Sequence, residues 1–269
     1  MGGMTPIQAV RRGVARRVEL VPMNPVEQLR AGRLVHRVTQ LLVGLVLFGV
    51  SMALLLRAEL GLEPWGVLQY GLIQHVPMSY GLMSIVVSFV VLLLWIPLRQ
   101  WPGLGTVLNA VVIGLAIDAT LAVVPEVEGI GWRVAVMLAA ILGNGIAGAL
   151  YIGSQLGPGP RDGLMTGLSR RTGRSIRLVR TALEVTVVLL GWLLGGIVGV
   201  GTVLYALLIG PVVQLFLPML TVRVDRPSPA AHAAHTPQSA HAAHPPHAPQ
   251  TPAVRPLRHD AADPVAAPD

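Results

Sequence analysis

The sequence predicts an all-α integral membrane protein of six transmembrane helices, arranged as two inverted three-helix repeats, each with a short insert helix begun by Gly and Pro. Three observations predict it. Of 269 residues 53% are hydrophobic and only 12% charged, against about 25% charged in soluble domains. Several apolar runs approach the ~20 residues that cross a bilayer as a helix, and none alternates as a membrane β-strand would. Finally, the chain matches itself without gaps at an offset of 96 positions.

Residues 1–37 read as a basic cytoplasmic arm carrying Arg11, Arg12, Arg16, Arg17, Arg30, Arg33 and Arg37. Both a topogenic arm and an amphipathic helix on anionic lipid fit it. It does not read as a cleavable signal, because the first long apolar run starts near Gln40 and is long enough to span.

The membrane domain is expected over 38–222, with repeat 1 at about 39–124 and repeat 2 at about 132–220. Spanning helices are placed at 39–58, 80–98, 104–124, 132–152, 176–194 and 202–220. Pro102-Gly103 and Pro125 punctuate helix ends. Residues 223–269 turn to Ala, Pro and His and read as a disordered cytoplasmic tail. Its His232, His235, His241, His244, His247 and His259 lack a preformed geometry, so no metal site is expected.

The repeat lies in motifs rather than in general hydrophobicity. At the offset of 96, Gly61, Pro64, Gly71 and Ser79 fall on Gly157, Pro160, Gly167 and Ser175. "GLGTVLNAVVIG" at 103–114, containing Gly105, falls on "GVGTVLYALLIG" at 199–210, containing Gly201. Three crossings per copy is an odd number, so the second copy enters the bilayer from the opposite side. Paired Gly/Pro-interrupted segments in such repeats point to the binding region of secondary transporters.

Arg counts in short loops set the orientation. The arm, Arg99 and the segment with Arg161, Arg170, Arg171, Arg174 and Arg177 fall on one side, and Arg57 and Arg133 face Glu59, Glu63, Glu126 and Glu128 on the other. A bacterial plasma membrane location with both termini cytoplasmic follows.

Candidate site residues are the polar groups at membrane depth, which are expensive there. They are Asp118, Asn109, Asn144, Arg161, Asp162, Arg180 and Glu184. Arg180 and Glu184 are four apart and share a helix face. Asp118 falls on Gln214 in the repeat, so a place near the pseudo-twofold axis is expected for it, an end-of-helix surface acid being the alternative. The second insert, "LGPGPRDGLMTGL", puts Pro160 at a helix start, Arg161 and Asp162 beside it, and Gly163 and Gly167 on one face for close packing. A site and a mere elbow capped by Asp162 both fit this pattern.

These stretches, with "GLEPWGVLQYGL", "PGLGTVLNA" and "GPGPRDGL…TGRSIRLVR", resemble the YczE/YitT-type family of bacterial multi-pass membrane proteins, on its YczE-like branch, over about 41–220. The resemblance implies fold and membrane location; the family is largely without assigned activity. Where YitT-type members carry a soluble C-terminal domain, this sequence has the Ala/Pro/His tail. Members often carry an acid after the Pro-Trp of the first insert. Here Gly66 stands there, opposite Asp162, which implies one surviving acid.

No cysteine is present, and H-E-x-x-H, G-x-S-x-G and P-loop patterns are missing, so neither enzyme chemistry nor a cofactor is expected. His36 and His75 are isolated. The charges flank apolar runs and do not interleave with aromatics, which argues against nucleic acid. Partners are then the lipid bilayer and either a small solute, in a transporter, or a cytoplasmic protein docked on the Arg-dense segment, in a non-transporting scaffold. Oligomeric state is not legible.

Overall fold

The computed structural model describes residues 23–224, and all regular structure among them is helical. The helices are α1 Pro25–Arg30, α2 Leu34–Ala58, α3 Pro64–Ile73, α4 Tyr80–Leu93, α5 Trp95–Leu98, α6 Leu104–Val123, α7 Ile130–Gly153, α8 Pro160–Thr172, α9 Ile176–Leu193 and α10 Val200–Leu220. The Ala/Pro/His tail from residue 225 on, and the arm up to residue 22, lie outside the described residues.

Among the described residues five helical runs are long and apolar enough to cross a membrane: Leu34–Ala58, Tyr80–Leu98, Leu104–Val123, Ile130–Gly153 and Val200–Leu220. Their outward faces stay apolar. Leu93, Leu115, Leu193, Leu207 and Leu215 are each at least 60% exposed, as lipid-facing side chains are. The sixth expected crossing, α9, is a helix of 18 residues carrying Arg177, Arg180 and Glu184. At 1.5 Å per residue it spans about 27 Å, slightly under the ~30 Å hydrocarbon core.

Two expectations at the N-terminal end need correction. The first spanning helix begins at Leu34, not residue 39, and Arg37 belongs to its buried face rather than to a solvated arm. Its guanidinium donates to the carbonyls of Ser154 at 2.8 Å, Gln155 at 2.6 Å and Gln28 at 2.5 Å. The C-terminus of α7 leaves carbonyls unpaired and carries negative dipole charge, which an arginine fork satisfies. The preceding α1 is a helical turn closed by a capping box between Asn24 and Glu27. The second span breaks at Leu94, between α4 and α5, because Pro97 has no N–H for the carbonyl four residues back and its ring crowds that group.

The same local structure recurs at positions 96 apart. Gly61 and Gly157 have φ of 118° and 117°, a region open to glycine alone in practice. Pro64 and Pro160 each open an insert helix. Ser79 and Ser175 each cap the next helix through the side chain. The halves also exchange hydrogen bonds: Gly105 N–H donates to Leu156 O at 2.8 Å, and Gly201 N–H donates to Leu60 O at 2.7 Å. The second bond is the first moved by 96 residues at both ends.

At the centre α2 packs on α7, flanked by α6 on α2 and α10 on α7. The outer helices break this correspondence. α4 packs along α6, whereas α9 packs on α3 and has no comparable contact with α10. Gly71 permits the α3–α9 approach, since a Cβ there would stand 2.5 Å from Gly191 O. Gly163 lies under the Trp95 ring and Gly167 against Leu98, so the small face of α8 seats the α5 turn.

Candidate functional site

The starts of the two inserts converge. Gly61 and Gly157 turn the chain, and the residues after them carry Glu63 and Trp65 from the first insert and Arg161 and Asp162 from the second. Arg161 Nη1 lies 3.8 Å from Glu63 Oε1, and its guanidinium stands 5.2 Å over the Trp65 ring. Around them is a cavity of about 250 Å³ lined from α2, α3, α4, α6, α7, α8, α9 and α10.

Six of the seven residues expected at a site line this cavity: Asn109, Asn144, Arg161, Asp162, Arg180 and Glu184. Asp162 accepts a hydrogen bond from the Tyr151 hydroxyl. It does not cap α8, whose N-cap is Gly159 without a side-chain bond. Arg180 Nε donates to Glu184 Oε1 at 2.8 Å along α9. Asn144 Oδ1 accepts from the Tyr205 hydroxyl at 2.8 Å. Asn109 presents its amide near Gly159.

Asp118 is the exception. It lies apart from the cavity and holds the start of α4, accepting from Ser79 Oγ and, at 2.8 Å, from Gly81 N–H. An unpaired helix N-terminus attracts a carboxylate, so Asp118 has a structural task. Its repeat counterpart Gln214 does line the cavity.

Glu63 is the residue that sequence reading missed. It is 2% exposed, and neither carboxylate oxygen has a side-chain hydrogen-bond partner among the described residues; only the backbone N–H groups of Glu63 and Gly66 lie close enough to favour its ionised form. A Cβ on Gly66 would stand 2.3 Å from Glu63 Oε2 and 2.5 Å from the Tyr80 hydroxyl. Glycine at position 66 thus leaves room for the Glu63 carboxylate, which folds over it. Glu63 lies outside the spanning helices, between α2 and α3. Burial pushes its carboxyl up to about 7, opposed first by Arg161 and then by the backbone N–H groups of Glu63 and Gly66, because desolvation penalises the charged form. The signal in the sequence was the Glu-Pro-Trp run itself, an acid directly before the Pro that opens the insert. Trp65 Nε1 is likewise buried without a partner.

The arrangement gathers the buried acceptors of Glu63, the indole of Trp65 and an arginine fork in the wall of one partly open cavity. Polar groups in such a state seek a hydrogen-bonding occupant. The cavity, at about 250 Å³, is smaller than the ~300–1,000 Å³ of drug-sized pockets, which suits a small solute.

Comparison with known proteins fits this membrane architecture. A family model described as a family of unknown function (DUF6198) matches residues 35–218. An uncharacterized protein of Haemophilus influenzae is 43% identical over 180 residues, 67% of this chain and 83% of the relative. The uncharacterized membrane protein YczE of Bacillus subtilis is 33% identical over 207 residues, 74% of this chain and 96% of the relative. The uncharacterized protein YyaS of Bacillus subtilis is 24% identical over 182 residues, 66% and 90% of the two chains. No solved structure matches. With its apolar helices and its YczE-like sequence, the chain is a membrane protein that belongs to the DUF6198 family.

Proposed function

We propose that the protein is a transporter of a small polar solute in the bacterial plasma membrane, built as two inverted repeats with six crossings and both termini cytoplasmic. The observation that carries this is the buried, partner-poor Glu63 facing Arg161 in a cavity where the two insert helices begin. A membrane protein without a ligand gains nothing from burying such charges, which cost several kcal/mol each. Broken helices whose N-terminal ends meet at a central cavity are the geometry of inverted-repeat transporters; the likeness is one of architecture.

The reciprocal bonds from Gly105 and Gly201 fit a twofold relation between the halves, and three crossings per half would put that axis in the membrane plane. End-to-end contacts support the orientation. Arg171 reaches the carbonyl of Pro97 at 2.7 Å, which brings the α5 end and the Arg-rich α8–α9 connection to one side. Arg133 pairs with Glu59 at 2.8 Å, grouping the weakly basic loops on the other. α9 is then the sixth crossing, its Arg180–Glu184 pair neutralised within the helix.

Docking of a cytoplasmic protein is the second reading, favoured by the exposure of Arg170, Arg174 and Arg177. It leaves the cavity unexplained. The deciding experiment is solute flux in proteoliposomes. Flux that disappears in Asp162→Asn or Glu184→Gln supports transport. No flux across a broad solute panel, with a stoichiometric soluble partner captured by crosslinking, supports docking instead.

A further inference from the structure

The cavity is lined by three acids and two arginines, and their engagements differ. Asp162 is held by Tyr151, and Glu184 by Arg180. Arg161 makes no hydrogen bond among the described residues; its only charge partner is Glu63, at 3.8 Å. That distance is too long for a hydrogen bond. Arg161 therefore lines the cavity with its fork unused, and the Glu63 carboxylate lies buried at the cavity wall without a side-chain hydrogen-bond donor.

A planar fork in a cavity wall matches a carboxylate bidentately. One free guanidinium among three acids suits a single negative charge; a dianion would meet Glu63, Asp162 and Glu184 with only one arginine to offset them. We propose that the cavity takes a small carboxylate monoanion on Arg161, and that Glu63 takes up one proton from water as Arg161 turns to that anion, so that solute and proton bind together. This rests on the reading of the cavity as a solute site.

The groups facing Glu63 set the direction of the coupling. α8 brings Arg161 and Asp162, α7 brings Tyr151, α9 brings Arg180 and Glu184, α10 brings Tyr205, and α4 brings Tyr80. α2 and α6 contribute only the uncharged Phe48, Asn109 and Ile113. Arg161 is the one cation that holds the Glu63 carboxylate ionised. An anion that occupies Arg161 removes that support and adds like charge, so protonation of Glu63 becomes more favourable. By linkage, anion binding is then strongest when Glu63 is already protonated.

The test uses the whole protein in detergent micelles and calorimetry with small monocarboxylates, set against inorganic phosphate, dicarboxylates and organic ammonium ions. Monocarboxylates bind, and a weakly buffered solution becomes more alkaline as they do. Their affinity falls about tenfold per pH unit above 7, a range in which the solute itself stays fully ionised. Glu63→Gln binds at about pH 8.5 as tightly as the wild type does in acid, with no proton uptake, and Arg161→Gln binds none. Proton uptake by the unmodified protein decides the matter even where a variant fails to fold. Monocarboxylate binding without proton uptake, or preferential binding of ammonium ions or dianions, overturns this inference and leaves the solute-site reading standing. Absence of binding and flux for every probe removes both.

Discussion

The Arg161 guanidinium of the second insert stands 5.2 Å above the Trp65 ring of the first, so the two halves of the chain are joined at the cavity by a cation on an aromatic face. Arg161→Gln removes this contact, worth about 0.5–2 kcal/mol, and strips Glu63 of its only nearby cation. Breaking a buried pair costs about 3–5 kcal/mol, and the long 3.8 Å approach puts this one at the lower end. The loss is greatest above pH 7, where Glu63 is ionised. Thermal unfolding in micelles checks this, and an equal loss at acidic and alkaline pH would reduce Arg161 to a stacking role.

Glu63 itself opposes folding at alkaline pH. Its carboxyl is raised from 4.5 to about 7 by burial. Its favourable share of stability is thus complete below about 4.5 and is lost as pH rises through 7, about 3 kcal/mol in all. Glu63→Gln equals the wild type in melting temperature in acid and exceeds it at alkaline pH. A variant less stable than the wild type throughout would contradict burial as the dominant influence on this carboxyl.

Gly105 and Gly201 seal the two inserts against the opposite halves. An added Cβ would stand 2.8 Å from Leu156 O at position 105 and 2.7 Å from Gly61 O at position 201. Overpacking of this kind costs about 1–3 kcal/mol. Gly105→Ala and Gly201→Ala should lower the melting temperature by similar amounts, read by the same unfolding assay. Tolerance of one and failure of the other would show the two seams to be inequivalent.

Asp118 separates a structural acid from a functional one. Asp118→Ala unpairs the start of α4, at a cost of about 0.5–2 kcal/mol, and leaves solute binding intact because the residue lies outside the cavity lining. Calorimetry alongside thermal unfolding checks both halves of this statement, and loss of binding in a folded Asp118→Ala protein would return it to the site.

The absence of cysteine makes the topology directly testable. Single cysteines at Met78 and Arg174, which are 96 positions apart, should react with a membrane-impermeant thiol reagent from opposite faces of the membrane. Labelling of both from one face ends the inverted-repeat reading.

The insert elements were legible because their chemistry is dictated by backbone geometry. Only glycine serves at Gly61 and Gly157, and only a few short polar side chains cap as Ser79 and Ser175 do. Arg180 and Glu184 were legible because helix spacing alone brings them together. Arg37 was not, since its partners are main-chain carbonyls of residues more than a hundred positions away, which no residue pattern announces. Glu63 was lost among the loop acids Glu59, Glu126 and Glu128, and only the fold sends it inward over Gly66. Asp118 misled for a further reason: its match with polar Gln214 arose from two unrelated tasks, an N-terminal clamp and a cavity wall.

The contrast between α4, which lies along α6, and α9, which leans on α3 instead of α10, makes the molecule lopsided where its halves ought to agree. On the inverted-repeat reading each half is able to adopt the pose of the other. Trading poses would bring α9 home onto α10, free α4 from the Asp118 clamp, and tilt it toward α8. The side wall now formed by Arg180, Glu184 and Gln214 would shut as its twin across the lipid parted, so a single chamber would acquire two doors that are never ajar at once.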